Sequence, residues 1–246
     1  MTSSTEASQR TARDRAAPGL LRVSEIFGPT LQGEGPSAGQ LAAFVRLGMC
    51  NLDCRWCDTP YAWDRRRYDL DTGLRWMSTA DVWQEIGATR TGLLVITGGE
   101  PLMQQAALPP LLDAAGRAGW RVEIETNGTI RPLPPVIRPF VRFNVSVKLA
   151  GSGVAEGRRI RPPVIRALAT AGQVTWKFVV DQVGDIGEIT RLQDRFGLDP
   201  VWVMPQGTTA EQLLSRLPAL AEDALAHRWH LTPRLHILLW GDVRGR

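Results

Sequence analysis

Along most of the chain, short apolar runs of strand length alternate with longer stretches whose apolar positions recur every three or four residues. The first kind predicts strands at LRVSEIF (21–27), LAAFVRLG (41–48), LLVIT (93–97), RVEIET (121–126), VRFNVSVK (141–148), TWKFVV (175–180), VWVMP (201–205) and LHILLW (235–240). The second predicts helices at about 79–89, 103–118, 162–172, 183–196 and 209–227. Capping signals open two of them, with Ser78 or Thr79 before Asp81 and Thr208-Thr209 before Glu211. Most strand runs are near-continuous in apolar character, as in a parallel sheet covered on both faces. About five or six β-α units are too few for a closed eight-stranded barrel. The expected fold class is therefore α/β, a partial (open) β/α barrel of about six parallel strands with ligands at their carboxyl ends. No internal repeat or long linker divides the chain, so residues 19–246 read as a single domain, and residues 1–18 as a disordered tail.

Composition narrows the class. The chain is 43% apolar and 22% charged, which excludes collagen-like, coiled-coil and disordered classes. No uncharged apolar run reaches the roughly 18 residues a membrane span needs, so no membrane partner is expected. Lys and Arg total 29 against 25 Asp and Glu, a formal +4, with lysine only at Lys148 and Lys177. So mild an excess predicts no nucleic-acid partner. The one dense basic run, Arg65-Arg66-Arg67, is followed by Asp69 and Asp71 and reads as a solvated loop. The first twenty residues lack the apolar stretch of a secretory signal, and Glu6 and Asp14 argue against a transit peptide. All 3 cysteines lie between Cys50 and Cys57, too few and too close for a disulfide framework. A reducing, cytoplasmic setting is expected.

Cys50-Asn51-Leu52-Asp53-Cys54-Arg55-Trp56-Cys57 has the spacing CxxxCxxC, directly after a strand. A closed zinc site wants four ligands; the nearest histidine is His227, and Asp58 is the available fourth donor. Three inert buried thiols are a further reading. A cubane iron–sulfur cluster held by three cysteines instead leaves one iron open, to be chelated by the amine and carboxylate of a small molecule. Other motifs are weak alone. Leu31-Gln32-Gly33-Glu34-Gly35 is a glycine-rich turn, and the glycines of Thr97-Gly98-Gly99-Glu100-Pro101 let backbone approach a ligand at a strand end. Met204-Pro205-Gln206-Gly207 leads into a helix and offers free amides.

The cysteine spacing, with Trp56 before the last thiol, resembles the radical S-adenosylmethionine superfamily. Taken with LQGEG, CDTPYAWD (57–64), GGEP and the ending HILLWGDVRGR (236–246), the chain resembles the 7-carboxy-7-deazaguanine synthases from about residue 23 onward. That resemblance implies a barrel of radical SAM type and a 4Fe-4S cluster on Cys50, Cys54 and Cys57. It implies S-adenosylmethionine against Trp56, Cys57, Asp58, Gly99, Glu125, Ser146, Val147, Lys148, Met204, Pro205, Gln206 and Gly207. Mg²⁺ falls to Thr59, and a pterin substrate to Leu31, Gln32, Gly33, Arg46, Thr97, His236 and Arg246. The chain departs from the family at Val147, where relatives carry proline, and at Arg246, where relatives end in a small apolar residue. The reaction implied is hydrogen abstraction from C6 of 6-carboxy-5,6,7,8-tetrahydropterin, ring contraction and loss of ammonia, giving 7-carboxy-7-deazaguanine for queuosine or other 7-deazapurines. A reductase or flavodoxin-type electron donor and a homodimer go with it. A glycyl-radical-activating enzyme shares the cysteine and GGEP motifs, but LQGEG, Thr59 and the lack of a second cysteine cluster favour the pterin enzyme. A non-catalytic iron–sulfur or zinc module has no use for the GGEP turn or a strand-end lysine.

Overall fold

The computed structural model describes residues 19–182 and 184–245, so the expected tail at 1–18 lies outside it, as does Arg246. Among the described residues nine strands form one sheet: β1 (Leu20–Leu31), β2 (Leu41–Leu47), β3 (Arg75–Ser78), β4 (Leu93–Gly98), β5 (Arg121–Thr126), β6 (Val141–Ser146), β7 (Gln173–Val180), β8 (Val201–Pro205) and β9 (His230–Leu231). Their order is β3-β1-β2-β4-β5-β6-β7-β8-β9. From β2 to β9 every pairing is parallel. This is the open barrel expected, with β9 adding a two-residue edge.

At the other edge the outcome differs from a plain β-α series. β1 runs antiparallel to both β2 and β3, so the LQGEG turn is the bend of a hairpin. β1 also continues past Gly28-Pro29 through a register shift between Phe27 and Thr30, which carries Leu31 to the cleft. β3, too short and half-exposed to show a pattern, was not foreseen.

Two further expectations are corrected. The run LHILLW is not a strand: Leu235–Trp240 is a short helix. A brief apolar run fits either structure, and here β9 already takes the sheet edge. The stretch 103–118 is split into a 3₁₀ segment, Pro101–Ala107, and a helix, Pro109–Arg117; Pro109 has no N–H to continue the preceding turn but suits a helix start. The predicted caps form, with Ser78 accepting from Asp81 N and Thr209 from Gln212 N.

Strands β5 to β7 carry a two-residue alternation that their apolar composition partly hides. Val122, Ile124, Phe143, Val145, Trp176 and Phe178 point outward into the main core beneath the helices. Between them Glu123, Glu125, Asn144, Thr175 and Lys177 point into the barrel and are buried or nearly so. Toward the amino-terminal starts of β2 and β4, Phe44 packs beside a smaller apolar cluster of Ala42, Leu93 and Val95. Among the described residues, no helix is long and apolar enough to cross a membrane.

Candidate functional site

The site lies at the carboxyl ends of the parallel strands, where the loop after β2 closes one side of the lumen. Cys50, Cys54 and Cys57 are free, half-buried thiols on that wall. Hydrogen bonds, not helical periodicity, shape their loop. Arg55 N donates to Ser152 O at 2.8 Å and its guanidinium to Gly151 O at 2.9 Å. Arg158 donates to Asp53 at 2.8 Å and to Asn51 O at 3.0 Å. From the end of β5, Asn127 Nδ2 donates to Asn51 Oδ1 at 2.9 Å, and Asn51 Nδ2 donates to Thr129 Oγ1 at 2.7 Å. Trp63 Nε1 donates to Cys57 Sγ at 3.2 Å. Burial pushes the Cys50 thiol up to about 12 and raises that of Cys54, so a metal must displace their protons to bind.

The GGEP element braces this loop. Glu100 N donates to Met49 O at 2.8 Å, and the Glu100 carboxylate accepts from Leu102 N at 2.9 Å, Thr126 Oγ1 at 2.9 Å and Asn127 N at 2.7 Å. Burial raises its pKa against those donors. Its position is structural: it ties the end of β4 to the end of β5. Gly99 lies directly under the cysteine loop, so close that a Cβ there would come within 2.1 Å of Met49 O.

The structure brings most of the expected residues to one cleft: Leu31, Gln32, Gly33, Arg46, Thr97 and His236 on the hairpin side, and Trp56, Asp58, Thr59, Gly99, Glu125, Ser146, Lys148, Met204 and Gln206 around the thiols. Three do not line it. The Val147 side chain belongs to the main core, and Pro205 and Gly207 are buried in the turn after β8. Lys148 Nζ donates to Ser146 Oγ at 2.9 Å and lies 5.6 Å from the Trp56 ring centroid. His236, on the terminal helix, packs onto the LQGEG turn: a Cβ at Gly33 would lie 2.0 Å from its Nδ1, so only glycine admits the ring. Burial lowers the pKa of His236 and keeps it neutral near pH 7. Arg65, Arg66 and Arg67 are exposed, as expected of a solvated loop.

Several site residues escaped sequence reasoning. Arg46 Nε donates to Glu25 Oε1 at 2.8 Å, and Tyr61 OH donates to the same oxygen at 2.6 Å. The guanidinium of Arg244 sits 3.9 Å from the Tyr61 ring centroid, so the last described residues border the cleft. Deeper in, Lys177 Nζ lies 3.0 Å from Glu34 Oε2 and 2.7 Å from Glu125 Oε2. Burial alone would raise the Glu34 carboxyl, but Lys177 and Arg234 outweigh it and hold it well below the usual carboxylate range. Likewise Glu125 and Glu34 keep Lys177 charged against the opposing effect of burial. Lys177 did leave a trace in the sequence, as one of only two lysines and the lone cation within TWKFVV; a cation buried there needs partners. Glu34 showed only as part of the LQGEG turn, without sign of its partners, and Arg234 left no trace.

A model of the Radical SAM superfamily matches residues 45–178. The chain is 35% identical over 228 residues to a 7-carboxy-7-deazaguanine synthase of Pyrobaculum aerophilum, covering 92% of this chain and 97% of that protein. It is 33% identical over 226 residues to a protein of the same name from Hyperthermus butylicus, covering 89% and 93%. Among solved structures, QueE from Escherichia coli superposes with a TM-score of 0.67 at 24% identity, over 96% of this chain and 100% of that one, a likeness of fold.

Proposed function

The chain belongs to the radical SAM superfamily and, within it, to the 7-carboxy-7-deazaguanine synthases, and on that footing we propose that Cys50, Cys54 and Cys57 hold the 4Fe-4S cluster in this cleft, with S-adenosylmethionine beside it and the pterin against the LQGEG turn. The enzyme converts 6-carboxy-5,6,7,8-tetrahydropterin to 7-carboxy-7-deazaguanine. The observation that carries the assignment of residues is the donor set: three free thiols and no fourth in the whole chain, on one wall of a polar lumen. When bound, the reduced cluster and S-adenosylmethionine supply one-electron bond cleavage and hydrogen abstraction at C6 of the pterin. The chain's own share is binding, orientation and exclusion of water. Gly99, Ser146, Lys148 and the Met204–Gly207 turn offer the polar groups for S-adenosylmethionine, and Gln32, Gly33, Arg46, Thr97 and His236 those for the pterin. An anaerobic assay with reconstituted cluster, dithionite, S-adenosylmethionine and the carboxypterin tests the whole reading. Deazaguanine is the expected product; 5′-deoxyadenosine formed without it would assign the chain to another radical chemistry.

Arg46 is proposed to pair with an anionic or carbonyl edge of the pterin. Its guanidinium is already oriented by Glu25, which leaves its other nitrogens for the ligand. Loss of a charge-assisted hydrogen bond costs about 1.5–3 kcal/mol, so Arg46→Met should raise KM about ten- to a hundredfold with cluster content unchanged. An unaltered KM would refute the role.

Thr59 is proposed as a Mg²⁺ ligand. Its hydroxyl lies 3.7 Å from Cys57 Sγ, on the cleft side of the loop. A magnesium ion held by one neutral protein oxygen must take its other positions from substrate carboxylate and water, so metal and substrate should tighten each other by the same factor. Turnover should rise with Mg²⁺, and Thr59→Ala should weaken that linkage while leaving the cluster intact. Equal activity of the native enzyme with and without chelator would reduce Thr59 to a loop residue.

The unbroken sheet supports residues 19–246 acting as one domain. A reductase or flavodoxin-type donor, a homodimer and a cytoplasmic location complete the proposal; the three free thiols suit a reducing compartment.

A further inference from the structure

Five side chains of alternating charge cross the lumen from the cysteine loop to β5. Arg234 Nη2 donates to Asp58, next to Cys57, and Arg234 Nε to Glu34 Oε1 at 3.1 Å. Glu34 meets Lys177, and Lys177 meets Glu125. The remaining arm of the guanidinium, Nη1, donates to Gly207 O at 2.8 Å. Arg234 is only 7% exposed, so solvent screens these contacts little. One planar fork thus grips three segments: the loop after the last cysteine, the LQGEG turn and the turn after β8. Because its geometry is rigid and every nitrogen is committed, movement of one segment re-aims the bonds to the other two.

We propose that Arg234 couples the two ligand sites, so that pterin settling on the LQGEG turn and S-adenosylmethionine settling on the cysteine loop each re-aim the same guanidinium and tighten the other's binding. This rests on the function proposed above. Arg234 is a positioning residue, not a catalytic one, and its effect appears in the linkage between ligands before it appears in turnover.

The test is a binding cycle on cluster-loaded protein with the cluster oxidised, so that both ligands bind without reacting. Calorimetry gives the Kd of S-adenosylmethionine with and without saturating carboxypterin. The native protein should show coupling of about 5- to 150-fold, equal in either order of addition. Arg234→Met should bring the factor below about twofold, a ratio in which any change in either ligand's own affinity cancels. Should that variant not take up the cluster, Arg234→Lys, which keeps the charge and loses the fork, carries the same comparison. Asp58→Ala removes the acceptor from the other side and should lose the same coupling ratio whatever its effect on S-adenosylmethionine alone, with the double variant no worse than either single one. Undiminished coupling in a cluster-loaded Arg234 variant, or no coupling in the native protein, overturns the inference. Failure of the native protein to bind carboxypterin at all overturns instead the function beneath it, and the inference with it.

Discussion

Cys54→Ala protein should fold as the native chain does, yet hold no cluster and turn over no pterin. The chain has 3 cysteines, and each must serve a different iron if one iron is to stay open for a small molecule. With one removed, no other thiol can take its place. The fold does not depend on the cluster in the same way: the loop is fastened by Arg55 to Ser152 and Gly151, by Arg158 to Asp53 and by Asn127 to Asn51, and none of these bonds uses sulfur. The expected result is a near-native circular dichroism spectrum and thermal midpoint for the metal-free protein, with iron, sulfide and visible absorption all lost. Full iron content and turnover in this variant would refute the cluster assignment. Tetrahedral zinc at full occupancy in anaerobically purified native protein would refute it from the other direction.

Gly99→Ala should lower activity by another route. Its Cβ would lie 2.1 Å from Met49 O, 2.6 Å from Met49 C and 2.8 Å from Cys50 Cβ. The first two are backbone atoms, and no rotamer change relieves them. Met49 already holds a positive φ of 74°, and its carbonyl accepts from Glu100 N at 2.8 Å, so the loop that must yield is the one carrying the first cysteine. Overpacking of this kind costs about 1–3 kcal/mol of stability, and a displacement of about 1 Å at a reacting site costs on the order of a hundredfold in rate. A lowered thermal midpoint, substoichiometric iron and turnover down by about that factor are expected together. Gly157→Ala is the control, since a Cβ there meets nothing within 4 Å and should lower none of the three. Native stability and full turnover in Gly99→Ala would show that the loop yields without consequence.

What the sequence made legible was local chemistry. The cysteine spacing, the GGEP turn, the LQGEG turn and Lys148 each announced themselves through residue type and order, and the fold brings them to one cleft. The strand runs located β2, β4, β5, β6, β7 and β8 to within a few residues, because buried parallel strands are apolar on the face that meets the helices. Position across the lumen was not legible. Glu34, Lys177 and Arg234 lie far apart in the chain, Lys177 143 positions and Arg234 200 positions from Glu34, and no local pattern reveals that three such charges meet. The terminal helix was misread for a related reason. Leu235–Trp240 has too few residues for its period to show, and its helical state is tied to tertiary contacts, Leu235 N donating to Gly33 O at 2.9 Å and His236 seated on Gly33.

The two-residue alternation of β5, β6 and β7 has a consequence for how such a protein can change. On each of these strands, neighbouring positions answer to different requirements: Ile124 to packing and Glu125 to the cleft, Val145 to packing and Asn144 to the lumen network, Phe178 to packing and Lys177 to its carboxylates. Substitutions on the outward stripe act on packing, while those on the inward stripe act on the polar lumen and, where they unpair a buried charge such as Lys177, on folding as well. The interior of the barrel can therefore be refitted to a different small molecule only where a buried charge and its partner change together, while the helices outside keep their contacts.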